Sequence, residues 1–178
     1  VLALGGIEPR KGSIDLLEAF AALRAEHPDL RLVFGGGETL FDYRPYREEF
    51  ERRADELRIQ PTILGTVPDD DLPALVAAAS TLGFVSTKEG FGLAAMEALA
   101  AGVPVVARDL PVIREVFGKA VLYATDVPGI ADALRASLDP SSRIDPVPGQ
   151  HLARSCSWIG AARAHEDFYR SFLASAGD

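Results

Sequence analysis

The sequence predicts a doubly wound α/β fold, with one parallel sheet covered by helices on both faces. Short apolar stretches alternate with longer amphipathic stretches from residue 1 to about residue 138, an order typical of parallel strands joined by crossover helices. Most of the short stretches are apolar almost throughout, as strands are when both faces of their sheet are covered. At 178 residues, the chain is long enough for one domain with a substantial core.

The first half of the chain is predicted to hold three strands and three helices. Residues 1–4 form the first strand because all four are apolar, and a helix at about 13–26 is inferred from apolar residues that recur on one helical face. Ser13 is the expected N-cap residue of that helix. The other elements of this half are an apolar strand at 30–34 that ends at three glycines, a charged helix at 46–57, a short strand at 62–64 and a helix at 69–79.

The second half continues the alternation and ends in a separate segment. An apolar strand at 81–86 leads into a glycine-bearing loop and a helix at about 93–101. Beyond residue 139 several prolines predict a linker, followed by a last helix at about 158–174. The other elements of this half are a strand at 103–107, a short helix at 111–117, a strand at 120–123 and a helix at 126–138.

Charge and composition exclude several classes of function. The net charge of −8 argues against a surface that binds nucleic acid or an anionic membrane, because such a surface needs a basic patch. The single cysteine, Cys156, excludes an intrachain disulfide and a cysteine-based metal cluster, and the histidines lack metal-ligand spacing. Without a long apolar stretch or a visible signal peptide, we expect a soluble, cytoplasmic protein that does not insert into a membrane. Because the chain opens inside a strand without an initiator methionine, we expect it to be part of a longer protein.

The loop after the first strand, GGIEPRKG at residues 5–12, is a candidate phosphate site. Gly5 and Gly6 would let the backbone approach a ligand closely, and Arg10 and Lys11 could neutralise a diphosphate. The loop lacks the GxGxxG spacing of a dinucleotide fingerprint. A surface turn with two exposed basic residues explains the loop equally well, so this motif alone does not decide between the two readings.

The strongest motif is EGFGLAAME at residues 89–97, which follows the fourth predicted strand. A strand, a glycine-bearing turn and a helix start present free N–H groups and a positive dipole end to a phosphate. Glu89 and Glu97 would repel phosphate but accept hydrogen bonds from neutral hydroxyls. A ligand with both groups, such as a nucleotide-sugar, fits this combination. Two solvated surface charges are the alternative, but the apolar neighbours of Glu97 predict a buried position at which its carboxylate needs a partner.

These features together resemble the C-terminal, donor-binding half of GT-B glycosyltransferases, in the large retaining group often called family 4 or group 1. The resemblance implies a Rossmann-like, nucleotide-sugar-binding domain over residues 1–140. It also implies that residues 141–178 form a linker and a helix, which packs back on this domain or toward a missing N-terminal domain. The matching segments are the Lys-Gly pair at 11–12, the glycines at 35–37, LGTVPDDDLPAL at 64–75, STKEGFGLAAMEALAAGVPVVA at 86–107, EVFG at 115–118 and Ser-Trp at 157–158.

The resemblance also implies a role for each matching residue. Lys11 would bind the diphosphate and Glu89 would contact hydroxyls of the donor sugar, and these two residues carry the catalytic role. Glu97 would accept hydrogen bonds from the ribose hydroxyls. The family usually has an arginine where Gly6 stands, and Arg10 could replace it as the second cation. The other donor contacts would come largely from the backbone, at Gly5, Gly6, Gly36, Val67, Gly90, Phe91, Gly92 and Leu93.

The implied activity is transfer of a sugar from a nucleoside-diphosphate donor to an acceptor that the sequence does not identify. No metal or other cofactor is expected, and the acceptor site would belong to the N-terminal half. Two alternatives stay open: a GT-B-like epimerase or hydrolase of nucleotide-sugars, and a non-catalytic nucleotide-binding module. The EGFGLAAME spacing favours the transferase, whereas the missing arginine at Gly6 favours the non-catalytic module.

Overall fold

The computed structural model describes residues 1–37, 42–142 and 144–175 of the chain. These residues form a six-stranded sheet in the order β3-β2-β1-β4-β5-β6, with every neighbouring pair parallel. The strands are β1 (Leu2–Leu4), β2 (Val33–Gly35), β3 (Thr62–Ile63), β4 (Leu82–Phe84), β5 (Val105–Arg108) and β6 (Leu122–Ala124). The helices are α1 (Ser13–Leu23), α2 (Arg44–Leu57), α3 (Leu72–Ala77), α4 (Leu93–Ala100), α5 (Pro111–Phe117), α6 (Val127–Leu138), α7 (Val147–Ser155) and α8 (Trp158–Ser175). The predicted doubly wound parallel sheet is confirmed, while residues 38–41 of the loop after β2 lie outside the described residues.

Helices cover both faces of the sheet and divide the core into two clusters. On one face, α1, α2 and α6 contribute buried side chains such as Phe50 and Leu134. On the other face, α4 and α5 contribute buried side chains such as Leu99 and Ile113. The strands must therefore be apolar on both sides, which explains the nearly continuous apolar stretches in the sequence.

The strand order reverses between β1 and β4, which are neighbours at the centre of the sheet. The chain continues from β1 through α1 to β2 on one side, and from β4 through α4 to β5 on the other. The loops that leave these two strands therefore diverge and leave a crevice at the carboxyl edge of the sheet. Ligands of doubly wound sheets bind in such a crevice. The topology thus brings the loop at 5–12 and the loop at 85–92 to one place.

The N-cap of α1 is Gly12, and the expectation that Ser13 would cap this helix was wrong by one residue. Gly12 has φ +65°, in the left-handed region that favours glycine. Ser13 is the first helical residue, and its side chain is buried. The turn before α1 therefore depends on backbone conformation and not on a capping hydroxyl.

Part of the segment that the prolines predicted to be a linker is helical. Pro146 is the N-cap of α7 and Pro148 lies in its first turn, where a helix tolerates proline because the missing N–H has no intrahelical partner. Gly149 brings α7 close to α4, since a Cβ atom there would lie 2.7 Å from Cδ2 of Leu99. Helix α7 thus extends the layer formed by α4.

The side chains of helix α8 are exposed over most of its length. Each side chain from Trp158 to Leu173 is exposed, including those of Phe168 and Tyr169. In the described parts of the chain, none of the helices combines the length and the apolar character needed to cross a membrane.

Candidate functional site

The candidate site lies at the carboxyl edge of the sheet, where the loops after β1 and β4 meet. The amide of Thr87 donates a 2.7 Å hydrogen bond to the carbonyl oxygen of Arg10, which holds one loop against the other. Gly5, Gly6 and Lys11 line the crevice together with Ser86. The two motifs that the sequence marked, about 80 positions apart, are therefore parts of one site.

Two glycines allow the backbones to approach closely around this crevice. A Cβ atom at Gly12 would lie 2.5 Å from the carbonyl oxygen of Val85, so the β1–α1 loop can rest on the end of β4 only without a side chain there. A Cβ atom at Gly36 would lie 2.2 Å from the carbonyl carbon of Gly5. Both glycines are required by backbone packing, whatever they contribute to a ligand.

Four charged side chains form a connected set of ion pairs at the centre of the site. One oxygen of Glu89, Oε1, lies 2.8 Å from Nζ of Lys11 and 3.3 Å from Nη1 of Arg10. The other terminal nitrogen of Arg10, Nη2, lies 2.9 Å from Oε1 of Glu8. The two cations that the sequence assigned to a diphosphate thus converge on a single carboxylate oxygen.

Lys11 is held in place by packing as well as by charge. A Cβ atom at Gly5 would lie 3.0 Å from Cε of Lys11, so the aliphatic part of the lysine passes directly over this glycine. The ammonium nitrogen lies 5.9 Å from the centroid of the Phe84 ring, within the range of a cation–π interaction. Only 19% of the Lys11 side chain is exposed. The ammonium group is therefore preorganised at the edge of the crevice.

The pKa of the Glu89 carboxyl reflects two opposing influences. Burial raises this pKa, but hydrogen bonds from Lys11 and Ser86 and the positive charges of Lys11 and Arg10 outweigh it, so the pKa lies below its ordinary value. Glu89 is therefore ionised at neutral pH. In that state the carboxylate accepts hydrogen bonds and cannot donate a proton.

The start of α4 provides hydrogen-bond donors next to Glu89. Gly92 is the N-cap, with φ +97°, and no side chain caps the helix. Phe91 and Leu93 on either side of it are exposed. A Cβ atom at Gly90 would meet no atom within 4 Å, so the space above this residue is open. The backbone N–H groups of the first helical turn lack an intrahelical partner, and the residues on both sides of the N-cap are exposed.

Glu97 is exposed, and the prediction that it is buried and needs a partner was wrong. It lies one turn after Leu93 on the exposed face of α4, while Met96 and Ala98 are buried. Among the described residues it forms neither an ion pair nor a side-chain hydrogen bond. The surrounding protein removes part of its hydration and raises the pKa of its carboxyl. Glu97 thus presents a carboxylate one turn beyond the helix start, with no cation paired to it in the described part of the chain.

Val67 and Gly36 lie on the β2–β3 side of the crevice. Val67 is half-buried, and a Cβ atom at Gly35 would lie 3.3 Å from its Cγ2 atom. The amide of Gly36 donates a 2.8 Å hydrogen bond to the carbonyl oxygen of Gly65. These residues therefore extend the site along the same edge of the sheet, away from α4.

Two residues of this edge, Glu8 and Arg108, were missed by reasoning from the sequence. Glu8 is 5% exposed and holds Arg10. Arg108 donates hydrogen bonds to the carbonyl oxygens of Val85 at 2.9 Å and Thr125 at 3.2 Å, and pairs with Asp15. The only signal for Glu8 in the sequence is its position two residues before Arg10, and Arg108 carries no motif at all.

No group of three or more histidine, cysteine, aspartate or glutamate side chains is placed to hold a metal ion within the residues described.

Comparison with known proteins identifies the family. The family model for glycosyl transferases group 1 matches residues 1–139. The O-antigen chain mannosyltransferase B of Escherichia coli is 37% identical over 170 residues, which cover 88% of this chain and 42% of that protein. HepE of Anabaena, crystallised with UDP and glucose, superposes with a TM-score of 0.79 at 22% identity, over 93% of this chain and 47% of HepE. The C-terminal domain of LpcC, a glycosyl transferase group 1 family protein of Francisella tularensis, superposes with a TM-score of 0.76 at 24% identity, over 87% of this chain and 84% of that domain.

These matches differ in the share of the other protein that they cover. The chain spans less than half of the mannosyltransferase and of HepE, but most of the LpcC C-terminal domain. At these identities the structural likeness shows the fold, which is the Rossmann-like fold of GT-B C-terminal domains. The family match rests on the sequence itself, over 139 residues. The chain belongs to the group 1 glycosyl transferases.

Proposed function

We propose that this chain binds a nucleoside-diphosphate sugar and is the donor-binding half of a retaining glycosyltransferase. The mannosyltransferase relative and the HepE complex with UDP and glucose support a donor of this class. Because the chain spans less than half of these proteins, the acceptor site belongs to a further domain.

One observation carries the proposal: Lys11 and Arg10 converge on a single anionic oxygen beside the uncapped start of α4. That oxygen belongs to Glu89, at 2.8 Å from Lys11 and 3.3 Å from Arg10. Like this carboxylate oxygen, a phosphate oxygen is negatively charged and accepts hydrogen bonds from lysine and arginine. The positive end of α4 adds to the attraction for an anion. The arrangement suits a diphosphate at the point where the strand order reverses.

The remaining contacts follow from the positions of the residues around this point. Glu89 accepts hydrogen bonds from the sugar hydroxyls, next to the backbone of Gly90 and Phe91. Glu97, one turn further along α4, accepts hydrogen bonds from the ribose. The base lies toward β2 and β3, where Gly36 and Val67 present mainly backbone. On this placement the base contacts mainly backbone groups, so the side chains of the site contribute little to the choice of base.

The chemical role of these residues is to stabilise the departing diphosphate. Lys11, Arg10 and the N–H groups at the start of α4 face the position at which negative charge develops as the glycosidic bond breaks. Glu89 orients the sugar and does not act as a general acid, because its lowered pKa keeps it ionised. With two cations and a helix start available, the site needs no metal ion.

The exposed helix α8 is proposed to contact the domain that carries the acceptor site. Its side chains include Trp158, 84% exposed, and Phe168, 62% exposed, and apolar surface of this kind marks interaction sites. The isolated chain should therefore bind nucleotide without transferring sugar. Sugar transfer by the purified 178-residue chain would refute the proposal that the acceptor site lies in another domain.

The test is titration of the chain with UDP, GDP and ADP, and then with sugar conjugates of the nucleotide that binds best, by isothermal titration calorimetry. We expect binding of at least one nucleoside diphosphate and tighter binding of its sugar conjugate. Absence of binding for every diphosphate, with the chain folded by circular dichroism, would refute the proposed function.

A further inference from the structure

The four charged side chains at the centre of the site neutralise one another. Arg10 and Lys11 supply two positive charges, and Glu8 and Glu89 supply two negative charges, all joined by ion pairs of 2.8–3.3 Å. A diphosphate that approaches Lys11 therefore competes with a carboxylate that already holds it. Binding is an exchange of partners and not simply the addition of an ion pair.

Glu89, and not Glu8, is the carboxylate that a phosphate has to replace. Oε1 of Glu89 is the atom on which Lys11 and Arg10 converge. Glu8 pairs with Nη2 of Arg10, the nitrogen that does not contact Glu89, and its side chain is 6% exposed. Arg10 can keep its bond to Glu8 while Nη1 turns to a phosphate oxygen. The charge of Lys11 is already neutralised by Glu89, so a phosphate on Lys11 is repelled by this carboxylate until Glu89 turns away.

A displaced Glu89 needs new hydrogen-bond donors. Its side chain is only 11% exposed, and a carboxylate with so little access to water is destabilised when its partners leave. The hydroxyls of a donor sugar supply such partners next to Glu89, whereas pyrophosphate has no sugar, and the hydroxyls of a bare nucleoside diphosphate are on its ribose, which we place at Glu97. The free energy of the exchange therefore depends on whether the ligand carries a sugar.

We propose that Glu89 is a specificity-determining residue that opposes binding of the bare diphosphate and is compensated only when a sugar is attached. This inference rests on the proposed function and deepens it. After sugar transfer the compensating hydroxyls are gone, and Glu89 again competes for Lys11 and Arg10. The residue thus favours the donor over the nucleotide product and promotes release of the product.

The test is the affinity of Glu89→Gln for ligands with and without a sugar, measured by isothermal titration calorimetry on the 178-residue chain. The ligands are inorganic pyrophosphate, GDP, UDP and ADP, followed by GDP-mannose, UDP-glucose and ADP-glucose. Glu89→Gln should bind pyrophosphate and nucleoside diphosphate about threefold to tenfold more tightly than the wild type, because the competing charge is removed. The advantage of the sugar conjugate over the bare diphosphate should fall by about tenfold, because the neutral amide oxygen accepts from the hydroxyls more weakly than the charged carboxylate does.

Two further variants make the result specific to the charge of Glu89. Glu89→Ala removes the same charge and must give the same gain for pyrophosphate, which provides a second route if Glu89→Gln does not fold. Glu18→Gln is the matched control, because Glu18 forms a 2.7 Å pair with Arg53 outside the site and its side chain is 30% exposed. Its affinity for every ligand should equal that of the wild type.

The outcomes separate this inference from the proposed function. If the wild type binds a nucleoside diphosphate and folded Glu89→Gln and Glu89→Ala bind pyrophosphate no more tightly than it does, the inference is wrong and the proposed function stands. If neither the wild type nor the two variants bind pyrophosphate or any nucleotide, the inference and the proposed function are both wrong. Misfolding of a variant would lower its affinity, so the predicted gain in affinity cannot be a result of misfolding.

Discussion

Replacing Lys11 with alanine should lower the affinity for nucleoside diphosphates about tenfold. The size of this loss can be estimated from the contacts that Lys11 makes in the structure. A charge-assisted hydrogen bond to phosphate contributes about 1.5–3 kcal/mol. Against this, Lys11 must give up its 2.8 Å bond to Glu89, and a partly exposed ion pair contributes about 0.2–1 kcal/mol. The difference is about 0.5–2.8 kcal/mol, a range that contains the roughly 1.4 kcal/mol of a tenfold change in affinity.

The loss of affinity can be separated from any loss of stability. Without Lys11, Glu89 keeps its 3.3 Å contact with Arg10, so the carboxylate is not left alone. The interaction with the Phe84 ring, 5.9 Å from the ammonium, contributes about 0.5–1 kcal/mol to folding. Lys11→Met retains the aliphatic chain over Gly5 and removes only the charge, so it should show the affinity loss with little change in unfolding temperature.

The assay is calorimetric titration of nucleoside diphosphate and pyrophosphate, with thermal unfolding measured on the same samples. Lys119→Ala is the matched control, since it makes the same change in net charge on an exposed residue between α5 and β6, at the opposite edge of the sheet. Unchanged affinity in folded Lys11→Ala and Lys11→Met would remove Lys11 from the site. Equal losses in Lys11→Ala and Lys119→Ala would show that only overall charge matters.

Four further expectations concern stability and metal dependence. Gly12→Ala should lower the free energy of unfolding in urea by more than Gly65→Ala, because both have φ near +65° to +69° but only the Cβ atom at Gly12 meets Val85, at 2.5 Å; equal losses would contradict this. The stabilisation by ionised Glu89 should be complete above about pH 4.5 and be lost as pH falls through its lowered pKa. In unfolding temperatures measured from pH 3 to 8, Glu89→Gln should therefore approach the wild type at acid pH. The unfolding temperature of Glu97→Gln should instead rise relative to that of the wild type as pH increases above about 4.5, because the raised pKa means that ionisation of Glu97 disfavours the folded state. For each residue, a variant curve parallel to the wild-type curve would contradict the pKa shift of that residue. A chelator should leave pyrophosphate affinity unchanged within about twofold, whereas a tenfold loss, about 1.4 kcal/mol, would indicate a metal.

Much of the fold could be predicted because its signals are local. Each strand is a short apolar stretch and each main helix has its own apolar face, so the alternation appears directly in the sequence. Element ends were less accurate where local signals conflict. The prolines at 146 and 148 suggested a linker, yet both lie where a helix start accepts proline, and packing of Gly149 on α4 stabilises the helix.

The composition of the site could be predicted better than its contacts. The motif residues Lys11 and Glu89 were identified separately, but their bond joins positions 78 apart and exists only because β1 and β4 are neighbours. Glu97 was misjudged for a different reason. Alanine is compatible with both buried and exposed positions, so the alanine-rich sequence around Glu97 concealed the exposed face of α4, on which Ala100 also lies.

Glu8 explains how the site can lack an arginine at position 6 and still hold two cations. A carboxylate that is 5% exposed is costly unless a cation pairs with it, and Arg10 is that cation, at 2.9 Å. The same bond fixes the direction of the guanidinium, because it engages Nη2 and leaves Nη1 toward Glu89. Since Arg10 and Lys11 reach one oxygen, the positive charge that position 6 does not provide is present at the same edge of the crevice. The glycine at position 6 is therefore compatible with diphosphate binding, and under our proposal the balance between Glu89 and these two cations determines which ligands bind.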